Sequence, residues 1–226
     1  MGSLERQAEG IWTAAAPLKF LGLHLGCRMT VVRLPSGAVW LHSAVHIDAE
    51  LKAEIDALGR VEHIVAPNAY HHLHAGAAAA LWPKARVHGP RGLRKRRPDL
   101  RIDAELAETP DPAWGGALLP MRLLGTLLHE TVFLHPPTRT LIVADLVENF
   151  VGSPHLPTDL YFRVAGLHGQ VGVSRLGRFV FRDREAARRS VDRILGEDFD
   201  RIVLAHGRVI PTGGPAAVRA AYRWLA

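Results

Sequence analysis

Three histidines, His71, His72 and His74, fall within four residues, shortly after the apolar run Val61–Ala66. Imidazole is the commonest metal ligand among side chains. Further along, His129-Glu130 precedes the run Thr131–Leu134, Asp145 follows Leu141–Ala144, and His206 follows Arg201–Ala205. These positions border β-like runs, which suggests ligands gathered at one edge of a sheet. Cys27 is the only cysteine, so a zinc site here must be built from imidazole and carboxylate. It needs three or four ligands near tetrahedral geometry, with one position open if it is catalytic. In an extended loop, His72 and His74 point the same way; in a helical turn, His71 and His74 share a face. Two of the three can act together in either case. The plainer reading makes the cluster a helix N-terminus with exposed histidines and Asp145 a helix cap. Gly207 after His206 permits close backbone approach or positive φ. His42 and His46 read as core or surface residues, and His135 as structural.

The elements that must position these residues follow from periodicity. Met29–Leu34 and Val39–Val45 read as strands of a hairpin around Pro35-Ser36-Gly37. Asp48 suits the N-cap of a helix over Ala49–Leu58, with Leu51, Ile55 and Leu58 as its buried stripe and Gly59 as its stop. Val61–Ala66 is a strand. Ala75–Trp82 favours helix, stopped by Pro83, and Ala85–His88 is a short strand. Ala117–Leu124 is strand-like, and Thr131–Leu134 pairs with Thr140–Ala144 across Pro136–Arg139. Leu146–Phe181 has no clear period and many glycines and prolines; such a stretch is a lid, a partner surface or a mobile segment. His155, Tyr161 and His168 within it are placed to cover a site. Asp183–Leu195 is a basic amphipathic helix, Ile202–Leu204 a strand, and Pro215–Leu225 a final helix with proline in its first turn. Interleaved helices and strands imply an α/β layered fold with mixed sheets.

The chain of 226 residues suits one domain, 1–226, with 146–181 as a lid or insertion. It has no apolar run long enough to span a bilayer and no secretory layout at Met1–Arg6, and its single cysteine gives no disulfide framework. A cytoplasmic protein with no membrane partner is the expectation. The net charge of +6 is concentrated in Arg91–Arg97, which reads as a solvated surface in preference to a phosphate-binding one. No aromatic residues interleave with it, so nucleic acid is not the expected partner.

The order strand–histidine cluster, His-Glu, strand–Asp, strand–His-Gly resembles the metallo-β-lactamase superfamily. It is more closely similar to a family of uncharacterised proteins with that fold. The residues carrying the resemblance are Pro67-Asn68-Ala69-Tyr70-His71-His72, Glu130-Thr131-Val132-Phe133, Leu141-Ile142-Val143-Ala144-Asp145-Leu146 and Phe199-Asp200-Arg201-Ile202-Val203-Leu204-Ala205-His206-Gly207. Leu34–Gly37 and Trp40–Ser43 fit as well, so the likeness runs from about residue 10 to the C-terminus. It implies an α/β fold, a four-layer αββα sandwich with mixed sheets.

The resemblance also implies a ligand set drawn from His71, His72, His74, His129, Asp145 and His206, with zinc, or iron or manganese, as the metal. The superfamily motif is His-x-His-x-Asp-His. Anchoring it on His74-Ala75-Gly76 puts Ala69, His71 and Leu73 at its other ligand positions; anchoring it on Asn68 puts Tyr70, His72 and Leu73 there. Neither register supplies the aspartate. Two divalent ions about 3.5–4 Å apart need carboxylates to offset their repulsion, so one ion is easier to support than two. A single ion lowers the pKa of bound water, and Asp145 or Glu130 would orient or deprotonate that water. The expected function is mononuclear metal-dependent hydrolysis of an ester-like or phosphoester substrate. The alternative is a non-catalytic member that binds a small ligand or a partner. A small molecule is the expected partner, and the oligomeric state stays open.

Overall fold

A computed structural model describes residues 3–225; Met1 and Gly2, on which part of the secretory-signal reading falls, lie outside the described residues. The chain opens with β1 (Glu5–Ala8), β2 (Ile11–Ala16) and a small hairpin of β3 (Lys19–Phe20) and β4 (Leu23–His24). Next come β5 (Cys27–Arg33), β6 (Val39–His42), helix α1 (Ala49–Leu58) and β7 (Val61–Val65). The first half ends with α2 (Ala75–Leu81), β8 (Arg86–Gly89), α3 (Leu93–Arg96) and β9 (Ala104–Glu105). These build a seven-stranded sheet in the order β1-β2-β5-β6-β7-β8-β9. It is antiparallel up to β6 and parallel from there on.

The second half contributes β10 (Leu119–Arg122), β11 (Thr131–His135), β12 (Thr140–Val143), β13 (Glu148–Phe150), α4 (Leu156–Ala165) and β14 (Gln170–Gly172). It ends with α5 (Arg184–Leu195), β15 (Arg201–Leu204) and α6 (Gly214–Ala221). Its main sheet has the order β10-β11-β12-β15, with β15 parallel to β12.

Alternation along the strands separates the layers. In β5 and β6, Met29, Val31, Val39 and Leu41 pack with Leu51 and Ile55 of α1 and with α2. Val32 and Trp40, between them in sequence, meet Phe133 and Ile142 of the other sheet. On that second sheet Val132, Leu134, Leu141 and Val143 turn outward to Ala187, Val191 and Ile194 of α5 and Val218 of α6. Helices, sheet, sheet, helices: the expected four-layer αββα sandwich with mixed sheets is the observed architecture.

Local signals acted as anticipated at several points. Asp48 caps α1 by accepting from the Leu51 amide at 2.9 Å. The basic run is partly structural: Leu93 is buried, Arg94 donates to the Ile102 carbonyl, and Arg97 pairs with Asp99. The segment 146–181 differs from its loop-rich reading, since it holds the ten-residue α4 and the β13–β14 pair. No helix of the described residues is long and apolar enough to cross a membrane.

Candidate metal and substrate site

Parallel strands in each sheet end on the same side of the molecule. Ser43 follows β6, the 66–74 loop follows β7, Asp145 follows β12, and His206 follows β15. The carboxyl ends of parallel strands are where α/β sheets gather ligand-binding groups.

Three side chains converge there. His71 Nε2 lies 3.2 Å from Asp145 Oδ1 and 3.1 Å from His206 Nε2. His206 Nε2 lies 3.5 Å from Asp145 Oδ1. A tetrahedral zinc with bonds of about 2.0–2.1 Å needs ligand atoms about 3.3–3.4 Å apart, so this triangle fits one ion with a vertex left over. Among the described residues it is the one group of three or more such side chains with ligand atoms this close.

Each of the three side chains is aimed by a neighbour. His206 Nδ1 donates to the Gly26 carbonyl at 2.8 Å, which leaves the Nε2 lone pair of the neutral ring facing the triad. Ser43 Oγ sits 2.6 Å from His71 Nδ1, and a hydroxyl suits either tautomer. Arg28 reaches across from β5 to the carbonyls of Leu204 and Gly207 at 2.8 and 2.7 Å, fixing the end of β15. Gly207 has a φ of 89°, and a Cβ there would strike the Asn149 backbone.

Asn68 ties the histidine loop to Asp145. Its Oδ1 accepts from the amides of Tyr70 and His71 at 2.9 and 2.8 Å. Those two amides fix the orientation of the side chain, so its Nδ2 donates to Asp145 Oδ2 at 2.7 Å. Only Oδ1 of Asp145 is then turned to the triad. Glu130 is fully buried and accepts from the amides of Ala144, Asp145 and Leu146 at 2.8–3.3 Å. It does not line the pocket, so it is a positioning residue for the Asp145 turn.

Burial works against charge throughout, and the neighbours decide the outcome. Burial alone would raise the Asp145 carboxyl, but His71, His206 and the Asn68 hydrogen bond hold it well below the usual carboxylate range. Burial likewise opposes charge on His71, yet Asp145 raises its pKa. Burial lowers His206, with His71 adding to the effect. Glu130 is pushed up to about 7 by burial and by Asp145, against the pull of its backbone donors.

Of the six candidate ligands, His71, Asp145 and His206 come together. His72 lines the same pocket, with a buried Nδ1 that has no hydrogen-bond partner. His74 is the N-cap residue of α2, its ring 6.4 Å from that of His46. His129 stands apart, exposed at a φ of 52°; Glu130 beside it turns inward. Within 146–181, Tyr161 lines the pocket, whereas His155 stacks on His24 and His168 lies 3.2 Å from Asp159.

The triad lines a pocket of about 490 Å³. Glu148 is in its wall, a residue that sequence reasoning passed over. Burial and then the Asp145 charge push its carboxyl up to about 8. The sequence assigns no site role to Arg28 or Ser43, and it uses Asn68 only as an anchor for the register of the ligand motif. An asparagine two or three residues before amides it can cap is a usable signal.

Residues 8–92 match a family described as a domain of unknown function, DUF4336. No curated protein matches the chain significantly in sequence. Among solved structures, a metallo-β-lactamase from Pontibacter korlensis is 12% identical with a TM-score of 0.71, covering 99% of each chain. A metallo-β-lactamase from Erythrobacter litoralis, with β-mercaptoethanol in its active site, is 14% identical with a TM-score of 0.70, covering 98% of this chain and 96% of its own. The FIM-1 metallo-β-lactamase of Pseudomonas aeruginosa, in a mono-zinc form, is 12% identical with a TM-score of 0.66, covering 99% and 95%. The chain has the metallo-β-lactamase fold, and its residues 8–92 resemble an uncharacterised family.

Proposed function

We propose that the protein is a mononuclear metal-dependent hydrolase of an ester-like substrate. The convergence of His71 Nε2, His206 Nε2 and Asp145 Oδ1 within 3.5 Å of one another carries this reading. Two imidazoles and one carboxylate make a borderline donor set that suits zinc, with iron or manganese also accommodated. When bound, such an ion polarises a carbonyl and acidifies water.

The chain's own groups supply the rest. In ester hydrolysis a water oxygen bonds to the acyl carbon, the bond to the leaving oxygen breaks, and a proton ends on the released alcohol. Asp145, held ionised, would be a ligand through Oδ1, since Asn68 takes its Oδ2. Glu148, whose neutral form burial in the pocket wall favours, would give its proton to the leaving oxygen and recover one from the water. Ser43 and the Gly26 carbonyl keep the two imidazoles in place, and Glu130 and Asn68 keep Asp145 in place.

Metal analysis of protein expressed with zinc tests the assignment. The expected content is one equivalent per chain, lost in His206→Ala and in Asp145→Ala and retained in His129→Ala. Zinc that stays bound in both triad variants, or never binds the native protein, contradicts it. In the latter case the pocket belongs to a small-ligand-binding protein instead.

A further inference from the structure

We propose that the pocket over the triad takes a substrate with an unbranched apolar acyl chain, its carbonyl end at His71, Asp145 and His206 and its tail running out past Phe20 and Leu73. The identity of the bond broken rests on the hydrolase reading above; the binding of the chain does not.

The pocket volume of about 490 Å³ lies in the range of about 300–1,000 Å³ for small-molecule sites. Its walls include Leu18, Leu25, Leu128, Val173, Val180 and Phe181. The triad, Ser43 and Glu148 are polar groups that can fix a head group, with His72, Tyr161 and Ser174 as further polar groups of the lining, whereas those six side chains offer an acyl chain contact without hydrogen bonds. Lys19 is the one lysine or arginine among the lining residues. A phosphoester dianion wants several such donors, so the wall favours an uncharged ester.

The apolar surface continues past the mouth. Phe20 and Leu73 line the pocket yet are 57% and 64% exposed. Tyr70, which also lines the pocket, is 48% exposed. Exposed apolar side chains clustered at a cavity mouth mark a binding surface. A tail longer than the cavity would find cover there.

Calorimetric titration of metal-free protein with straight-chain alcohols, from butan-1-ol to decan-1-ol, tests this without any turnover. Each buried methylene is worth about 0.8 kcal/mol, or about four-fold in affinity. Affinity is expected to climb by about that factor per carbon, with a negative heat-capacity change. Phe20→Ser and Leu73→Ser, both at exposed positions, should weaken decan-1-ol binding by about four-fold or more while the circular dichroism stays native. Affinity that does not depend on chain length, or rim variants that bind like wild type, overturns the proposal. Hydrolysis of p-nitrophenyl acetate through decanoate by the zinc-loaded protein separates the two readings. Chain-length-dependent binding with no hydrolysis removes the hydrolase and leaves this inference standing. Equal kcat/KM for acetate and decanoate removes this inference and leaves the hydrolase.

Discussion

Asn68 uses both ends of its amide: the oxygen caps two backbone amides of the histidine loop, and the nitrogen occupies one oxygen of Asp145. An aspartate at that position would keep the first function and reverse the second. In Asn68→Asp, two carboxylates would face each other where a hydrogen bond of 2.7 Å now lies. Losing a hydrogen bond to a charged group costs about 1.5–3 kcal/mol, and like charges add to that. The metal-free variant should therefore melt below wild type, and zinc should raise its Tm by more than it raises that of wild type, because a cation relieves the repulsion. Calorimetric melting with and without zinc measures both effects; a metal-free variant that melts like wild type contradicts the role given to Asn68. At this scale the sequence was informative about residue type. His71, Asp145 and His206 come after strands and were readable as candidate ligands. Which of three adjacent histidines points inward depends on the Asn68 turn, and that orientation has no periodic signature. Glu148 was invisible because its place in the wall depends on the pairing of β13 with β14.

Helix α4 shows why a segment without apparent period can still be ordered. Leu156, Leu160 and Val164 are exposed, while Phe162 and Ala165 on the other side are buried. Apolar residues on both faces erase the amphipathic contrast that sequence reading relies on. Its end signals were present nonetheless: Pro157 in the first turn and Gly166 in a left-handed C-cap. The hairpin of β5 and β6, α1, and the β11–β12 pair were legible because alternation or capping marked them locally. A backbone test belongs at this scale. Gly207 takes a left-handed φ against the Asn149 backbone immediately after His206, whereas Gly213, also at positive φ, has open space around its Cα. Forcing a non-glycine residue into that region costs about 1–2 kcal/mol. Gly213→Ala should lose that much and keep its zinc affinity. Gly207→Ala should lose more, since β15 must also move away from β13, and its zinc affinity should fall. Urea denaturation paired with zinc titration checks this; equal zinc affinity in the two variants would separate the Gly207 contact from the site.

The two main sheets of the molecule share one internal layer and one edge that carries the triad. The internal layer includes a buried pair, His63 Nδ1 to His88 Nε2 at 3.0 Å, against Trp114. Burial, then His63 and Arg86, hold His88 down to about 4, against the opposing pull of Asp111 and Asp103. The ordinary unfolded value is about 6.5. The unfolded chain thus takes up this proton before the folded one, and stability is full above pH 6.5 and falls as pH drops to about 4. The loss from His88 is about 3 kcal/mol. Urea denaturation at neutral pH and near pH 4 should show a smaller acid loss in His88→Leu than in wild type by about that amount; parallel losses would contradict it. Pairing of β15 with the distant β12 could not be read from local pattern, because a parallel partner carries no turn to announce it. That pairing sets His206 beside Asp145, and the claim that it builds a single-ion site is open to direct inspection. A crystal of the zinc-loaded protein measured at the zinc absorption edge should show one anomalous peak per chain, ligated by His71 Nε2, His206 Nε2 and Asp145 Oδ1. Two peaks, a peak at His72 or His74, or none would contradict the account.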